Sequence, residues 1–351
     1  MKIASLIAAK NKMPANSMRF NFRLIHTGQH YDEEMSGNFF SQLNIPSPDI
    51  NFNVGPGSHA EQTSKIMCAY ENLLEQTPSD MCIVVGDVNS TMACAITAKK
   101  KNVLVSHIEA GLRSYDWNMP EEVNRVVTDA ISDYFFTTTE IASKNLLDKG
   151  VKRDRIFFVG NTMIDNLLNN SKRICKPRFW NDFNLQHGKY FLLTLHRPAN
   201  VDQDKKLLKI LETISYLSRG LPILFPIHPR TSKILSKSSL NLSNLFFVEP
   251  QPYLEFIYLE KHAKAIITDS GGVTEEATVL KIPCMTIRDN TERPETVDIG
   301  TNVLIGTDPT KFEPIFSQLF EGDWKKAKQP TYWDGKAGHR IIEALDNIFS
   351  T

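Results

Sequence analysis

Residues 265–301, AIITDSGGVTEEATVLKIPCMTIRDNTERPETVDIGT, decide how the rest of the chain is read. Ala265 to Thr268 is an apolar run of strand length, Asp269-Ser270-Gly271-Gly272 is turn-forming, Val273 to Leu280 has helical character, and Cys284 to Ile287 is a second apolar run. The expectation is a strand–turn–helix–strand unit. Two adjacent glycines let the backbone approach a ligand closely, and the free amides of a helix N-terminus favour an anion there. A phosphate suits this turn, with Ser270, Gly271 and Gly272 as its expected contacts. A sharp strand-to-helix turn without a ligand is the plainer alternative. Glu275 and Glu276 fall in the first turns of the helix. One carboxylate turned inward to ribose hydroxyls, with Glu276 the choice, and the other left in water would suit a nucleoside diphosphate.

The chain around this unit has 351 residues, enough for two domains of ordinary size. Forty basic residues balance forty acidic ones, so no global field draws the protein to nucleic acid or an anionic membrane, and any anion site is local. No apolar run reaches membrane-spanning length, and MKIASLIAAKNKMP lacks the core and cleavage site of a signal peptide, so a cytoplasmic protein is expected. The five cysteines show no metal-ligand spacing and read as reduced packing residues. Neither a metal nor a cofactor is expected.

Taken in order, residues 2 to 12 place Ile3, Leu6 and Ile7 on one helical face, and Phe22 to Ile25 reads as a strand leading to Thr27-Gly28-Gln29-His30. Glu61 to Glu75 is expected to be a helix and Met81 to Val85 a strand ending in Gly86-Asp87. Asp87 reads equally as a ligand group at the carboxyl end of a parallel strand and as the N-cap of the segment from Ser90. Val103 to His107 is the next strand, delivering Glu109, and Met119-Pro120-Glu121-Glu122 is a helix start. Glu121 alone reads as a helix-dipole residue, but three acids after successive strand ends, Asp87, Glu109 and Glu121, read together as a catalytic set. Tyr134 to Thr138 and Ile156 to Val159 complete this series. The charged stretch from Asn169 to Lys189 reads as an interdomain connection. A second series runs through strands at Tyr190–Leu195, Ile223–Ile227 and Leu245–Val248, with a helix at Leu207–Leu217. The expected fold is therefore α/β with two Rossmann-like domains. These are residues 1–168, closed by a C-terminal helix at 338–351, and residues 169–337.

DSGGVTEE followed by IRDNTERPETVDIGTN resembles the C-terminal signature of the non-hydrolysing UDP-N-acetylglucosamine 2-epimerases. TGQHYD, GDVNST, HIEAGLRS, MPEEVNR, VGNTMID, TLHRPAN and HPRT repeat the likeness in family order along nearly the whole chain. The resemblance implies two domains facing across a cleft, as in B-type glycosyltransferases, and a homodimer. It implies inversion of C2 in UDP-N-acetylglucosamine by elimination and readdition of UDP, giving UDP-N-acetylmannosamine for cell-surface polysaccharide precursors. It matches Asp87, Glu109 and Glu121 to catalytic acids and His196 to proton transfer or a diphosphate contact. Lys2, Arg125, Arg197, His228, Ser270, Gly271, Gly272, Glu276 and Arg293 match substrate-binding positions, and Gln29 falls near an activator loop. Residue by residue, His196 also reads as a structural histidine, Arg197 as a surface charge, His228 as a rigid loop residue between prolines, and Arg293 as the partner of a nearby acid. Met1-Lys2-Ile3-Ala4 matches a point inside the family's first helix. The strand and Gly-x-Arg-Pro loop that precede it are therefore expected to be missing, and the chain as numbered to be poorly stable or nearly inactive. Three rival readings share the nucleotide site: a hydrolysing epimerase, a B-type glycosyltransferase, and a UDP-sugar-binding remnant. A UDP-diacetamido hexose would use that site as well.

Overall fold

The computed structural model describes residues 1–13, 20–29, 40–201, 204–227 and 242–350. The sequence-predicted sites His228 and the His30 neighbourhood of Gln29 lie outside these residues. The chain divides into two compact units, residues 1–169 with 331–351, and residues 170–330.

In the first unit, α1 (Lys2–Lys12) precedes β1 (Ile25–His26) and β2 (Ile50–Asn51), which pair in parallel. There follow α2 (His59–Gln76), β3 (Met81–Val85), α3 (Asn89–Lys100), β4 (Leu104–Ala110), α4 (Pro120–Ile131), β5 (Tyr134–Thr137), α5 (Glu140–Leu147), β6 (Ile156–Phe158) and α6 (Thr162–Asn169). Strands β3-β4-β5-β6 form a parallel sheet in that order. Helix α2 starts where Ser58 and Glu61 make a reciprocal capping box, and α4 starts with Pro120 in its first turn, where a missing N–H costs nothing. Tyr70, Leu73, Ala95 and Ala98 of α2 and α3 bury one face of the sheet together with Cys82, Val84 and Val105. The strand expected from Phe22 shrinks to Ile25–His26. Phe20 and Phe22 instead pack edge-on at 5.2 Å in the core that holds Ile83 and Val85.

The second unit begins at once after α6. The stretch from 170 to 189, expected to be a bare connection, carries Trp180 and Leu185 into the core of this unit, where Trp180 packs edge-on against Tyr190 and Tyr258. Next come β7 (Phe191–Thr194), α7 (Pro198–Val201), α8 (Asp204–Leu217), β8 (Ile223–Pro226), β9 (Leu245–Val248), α9 (Tyr253–His262), β10 (Ala265–Thr268), α10 (Gly271–Leu280), β11 (Cys284–Thr286), α11 (Pro294–Asp298), β12 (Asn302–Leu304) and α12 (Glu313–Glu321). The sheet is parallel with order β12-β11-β10-β7-β8-β9, which in the unit's own strand numbering is 6-5-4-1-2-3, the Rossmann order. Its central strands are buried on both faces, Phe191 and Leu193 into one core and Leu192 into the other. That explains why they read as continuous apolar runs instead of alternating ones. No helix among the described residues is long and apolar enough to cross a membrane.

The chain returns to the first unit at Thr331, ahead of the expected helix, and ends in α13 (Ala337–Ile348). Trp333 is fully buried and its indole N–H donates to the Thr138 carbonyl. The Asp165 carboxylate of α6 accepts from the Ala337 and Gly338 amides and from the Ser5 hydroxyl, tying α1, α6 and the start of α13 together. A Cβ on Gly338 would stand 2.5 Å from the Ser5 carbonyl oxygen, so only glycine allows this approach. Trp333→Ala is expected to destabilise the protein by about 3–5 kcal/mol, because it leaves a cavity and an orphaned carbonyl. A denaturant midpoint within experimental error of the parent's would show that the returning segment contributes little to stability.

Candidate active site

The strand ends of the first unit carry two of the three sequence-predicted acids, Asp87 and Glu109. Asp87 follows β3, and its carboxylate accepts from Arg125 Nη1 at 2.5 Å. It does not cap α3, whose N-cap is Val88 and whose Ser90 amide donates to Gln29 Oε1 at 3.1 Å. The N-cap reading of Asp87 is thus not realised, and Gln29 accepts at that helix start instead. Arg125 is buried and also holds Glu122, its Nε donating at 2.9 Å and its Nη2 lying 2.7 Å from that carboxylate.

Glu109 sits on a register shift of β4 between Ile108 and Ala110, with φ 74°, in the left-handed region that costs a non-glycine residue free energy. Such strain survives only where the surroundings over-determine it. They do here: His107 Nε2 donates to the Gly86 carbonyl at 2.8 Å and its Nδ1 lies 2.7 Å from Asp129. Asp129 also accepts from the Gly111 amide and pairs with Arg113 at 2.6 Å. The Glu109 carboxylate is buried and paired with Lys2, whose ammonium lies beside Gly86. Lys2, Gly86, Asp87, Glu109 and Arg125 are thus linked at the carboxyl ends of β3 and β4.

Glu121 is exposed in the first turn of α4. The buried acid of that pair is Glu122, which sequence reasoning passed over. It accepts from the Ser114 and Tyr115 amides and the Ser114 hydroxyl, fixing the loop that precedes α4. Its spacing of three from Arg125 was the available signal.

In the second unit the sequence-predicted His196, Arg197, Ser270, Gly271 and Gly272 lie where the Rossmann order reverses, at the carboxyl ends of β7 and β10. This is the switch point at which open α/β sheets leave a crevice for ligands. Asp269, fully buried, joins the two ends. Its carboxylate accepts from the His196 and Arg197 amides and from Asn200 Nδ2, and His196 Nδ1 lies 2.8 Å away. Burial alone would raise this carboxyl, but the His196, Asn200 and Arg197 hydrogen bonds outweigh it and hold it below the usual carboxylate range. The His196 side chain, 62% exposed, is thereby oriented yet open to solvent. Asp269 was read only as part of a turn, because its partners lie about seventy residues away in sequence.

Helix α10 starts at Gly271, and Ser270 makes no side-chain cap to its first amides. An ideal Cβ on Gly271 would stand 2.5 Å from Glu292 Oε1. Behind this turn Glu292 pairs with Arg288 at 2.6 Å, with Arg197 Nη2 3.9 Å away. Although burial opposes it, Arg288, Arg293 and Arg197 drive the Glu292 carboxyl far below its ordinary range. Arg293 pairs with Glu275 at 2.5 Å, so of its alternatives the neighbouring-acid pairing is what the geometry realises. The expected division of Glu275 and Glu276, one inward and one in water, does not hold. Both are buried, Glu275 against Arg293 and Glu276 accepting from the Tyr253 hydroxyl at 3.0 Å. The reason is that α10 is enclosed by α9 on one side and by the segment carrying Arg293 on the other.

A Rossmann-ordered unit with an uncapped glycine turn at its switch point is the build of a nucleotide-handling α/β protein, and the comparisons specify which. The family profile described as UDP-N-acetylglucosamine 2-epimerase matches residues 12–346. The chain is 43% identical over 358 residues to the UDP-N-acetylglucosamine 2-epimerase of Methanocaldococcus jannaschii, covering 98% of this chain and 95% of that protein. It is 37% identical over 361 residues to the UDP-2,3-diacetamido-2,3-dideoxy-D-glucuronate 2-epimerase of Pseudomonas aeruginosa, covering 99% of this chain and all of that one. The crystal structure of the M. jannaschii enzyme in complex with UDP-GlcNAc and UDP superposes with a TM-score of 0.88 at 44% identity, covering 99% and 96% of the two chains. This chain belongs to the UDP-N-acetylglucosamine 2-epimerase family.

Because the folded-state pKa of Glu292 is depressed, its stabilising contribution is complete above the ordinary value of 4.5 and is lost as pH falls below it. Glu292→Gln is expected to cost about 3–5 kcal/mol at pH 7, as breaking a buried ion pair does, and to flatten the acid limb of stability below about pH 4.5. Denaturant titrations at pH 3 to 8 check both, and an acid limb as steep as the parent's would contradict the assignment.

Proposed function

We propose that this chain is an isomerase that reversibly inverts C2 of UDP-N-acetylglucosamine to give UDP-N-acetylmannosamine, by elimination and readdition of UDP. The reading is supported most directly by the buried, strained Glu109 beside Asp87 at adjacent strand ends, in a chain whose relatives bind UDP-GlcNAc. A group held against backbone strain and desolvation in this way is a candidate for chemistry. The second unit holds the nucleotide. Ser270, Gly271 and Gly272 offer backbone donors to the diphosphate, Arg197 and His196 add positive and hydrogen-bonding character, and Glu276 takes the ribose hydroxyls. The first unit supplies Asp87, Glu109 and Glu121 to the sugar, with Lys2 and Arg125 setting the charge around the first two.

In the forward reaction one carboxylate removes the C2 hydrogen as the C1–O bond breaks. UDP departs with the bonding pair, leaving a 2-acetamidoglucal. Readdition of UDP at C1 with protonation of C2 from the opposite face completes the inversion. The departing diphosphate carries the charge that the donors of the second unit stabilise. Arg293, held by Glu275, orders the wall of that site, and His228 and Gln29 retain the roles implied by family likeness, substrate binding and activator binding. A cytoplasmic homodimer serving polysaccharide precursor synthesis completes the reading.

The identity with a diacetamido-glucuronate epimerase supports a second substrate, a UDP-diacetamido sugar, on the same nucleotide site. Incubating the protein with each UDP-sugar in D2O and identifying products by NMR tests both. Epimer carrying deuterium at C2 is the expected result, whereas free sugar plus UDP marks a hydrolase, and an unlabelled epimer marks hydride chemistry. Glu109→Gln is expected to lower turnover by about 10²–10⁴ while UDP still binds by calorimetry. Undiminished turnover removes Glu109 from the mechanism. Gly271→Asp, which drives a charged side chain toward Glu292 and the diphosphate, is expected to weaken UDP binding. An unaltered Kd, with an unaltered Tm, places the phosphate elsewhere.

A further inference from the structure

Glu292 stands where the carboxyl ends of three neighbouring strands converge. In the sheet order β11-β10-β7, Arg288 follows β11, the glycine turn follows β10 and Arg197 follows β7. The Glu292 carboxylate faces all three. Its Oε2 accepts from Arg288 Nη2 at 2.6 Å, and its Oε1 lies 3.9 Å from Arg197 Nη2. The same Oε1 is 2.5 Å from the point where a Gly271 Cβ would stand. A carboxylate of the chain itself thus enters the space that glycine leaves at the start of α10. Ser270 makes no side-chain cap to that start, and Glu292 brings an anion beside its positive end.

The nucleotide reading brings a second anion to the same donors. Under it the diphosphate takes the amides of the glycine turn and Arg197, the groups that Glu292 already faces. Glu292 and Arg288 are both buried, so little water screens charge at this place. Two like charges a few ångströms apart there repel each other strongly, and they cannot both have Arg197 at full strength. The two arginine contacts are unequal. The short one to Arg288 fixes the carboxylate, and the long one to Arg197 is the one that yields. Resting on the nucleotide placement above, we propose that Glu292 is a built-in competitor of the diphosphate, anchored on Arg288, that balances Arg197 and the α10 N-terminus and so lowers nucleotide affinity. Such a competitor suits an isomerase, because the product leaves with its nucleotide attached, and a diphosphate gripped by every available donor leaves slowly.

The plainer role for this carboxylate is to hold the two guanidinium groups in place for the diphosphate, and it has the opposite sign. A residue that orients Arg197 and Arg288 for the ligand contributes to affinity, so neutralising it weakens UDP. A competitor opposes the ligand, so neutralising it strengthens UDP, and only the charged part of the ligand feels the change. Removing the repulsion is expected to tighten UDP by about ten- to a hundredfold and to leave the affinity for uridine, which lacks phosphate, where it was. Withdrawing the carboxylate without neutralising it is expected to give a gain of only a few-fold.

The test is calorimetric titration of the full chain at neutral pH with UDP and, at higher concentration, with uridine. Glu292→Gln removes the charge and keeps an oxygen for Arg288. Glu292→Asp keeps the charge and draws it back by one methylene from Gly271 and Arg197. The expected outcome is tighter UDP in both, with the larger gain in Glu292→Gln, and uridine bound as in the parent. If Glu292→Gln, which loses a buried ion pair, does not fold, Glu292→Asp decides alone. UDP bound equally or more weakly by the variants that fold overturns the inference, as does a gain that uridine shares. Gly271→Asp separates this failure from that of the nucleotide placement. Where it weakens UDP but neither Glu292 variant tightens it, the site stands and the competitor does not. Where it leaves UDP binding and its own Tm unchanged, the placement fails and this inference with it.

Discussion

The cost of placing a carboxylate away from water governs the architecture of both units. A buried carboxylate is tolerable only where cations or several N–H donors meet it. Most of the acids gathered here have such partners: Asp87 and Glu122 share Arg125, Glu109 has Lys2, Asp129 has Arg113 and His107, Asp269 has two backbone amides and Asn200, and Glu292 has Arg288. Several of these bonds also fasten the chain at the carboxyl end of a parallel strand, as Asp269 does after β10 and Asp87 after β3.

The acids lacking such partners are informative for the same reason. Glu276, Glu260 and Glu295 are buried without a compensating ion pair among the described residues, and burial raises the carboxyl of each, that of Glu295 to about 7. The protein thus separates two kinds of acid, one met by cations or several N–H donors and one buried without an ion pair among the described residues.

Glu109 shows how backbone and charge are combined. A bulge and a positive φ turn its side chain out of the register of β4, and a buried histidine spans Gly86 and Asp129 to hold that geometry. None of this strain is visible in the string HIEAGLRS, although the presence of an acid at a strand end is.

The local pattern determined that this chain is α/β, where most strands run, that a glycine turn opens α10 and that acids stand at the carboxyl ends of β3 and β4, because hydrophobic runs and turn residues act over a few positions. It also carried the family likeness through motifs spread along the whole chain. Tertiary structure alone decided which member of each acidic pair is buried. Glu121 faces water and Glu122 does not, while Glu275 and Glu276 are both enclosed, since burial depends on what packs against a helix and not on its own residues. Likewise Trp180 belongs to a core and not to a linker, Phe22 packs where a strand was expected, and Asp269 joins two strand ends from seventy residues apart. Those outcomes turn on contacts between segments distant in sequence, whose energies no local periodicity encodes.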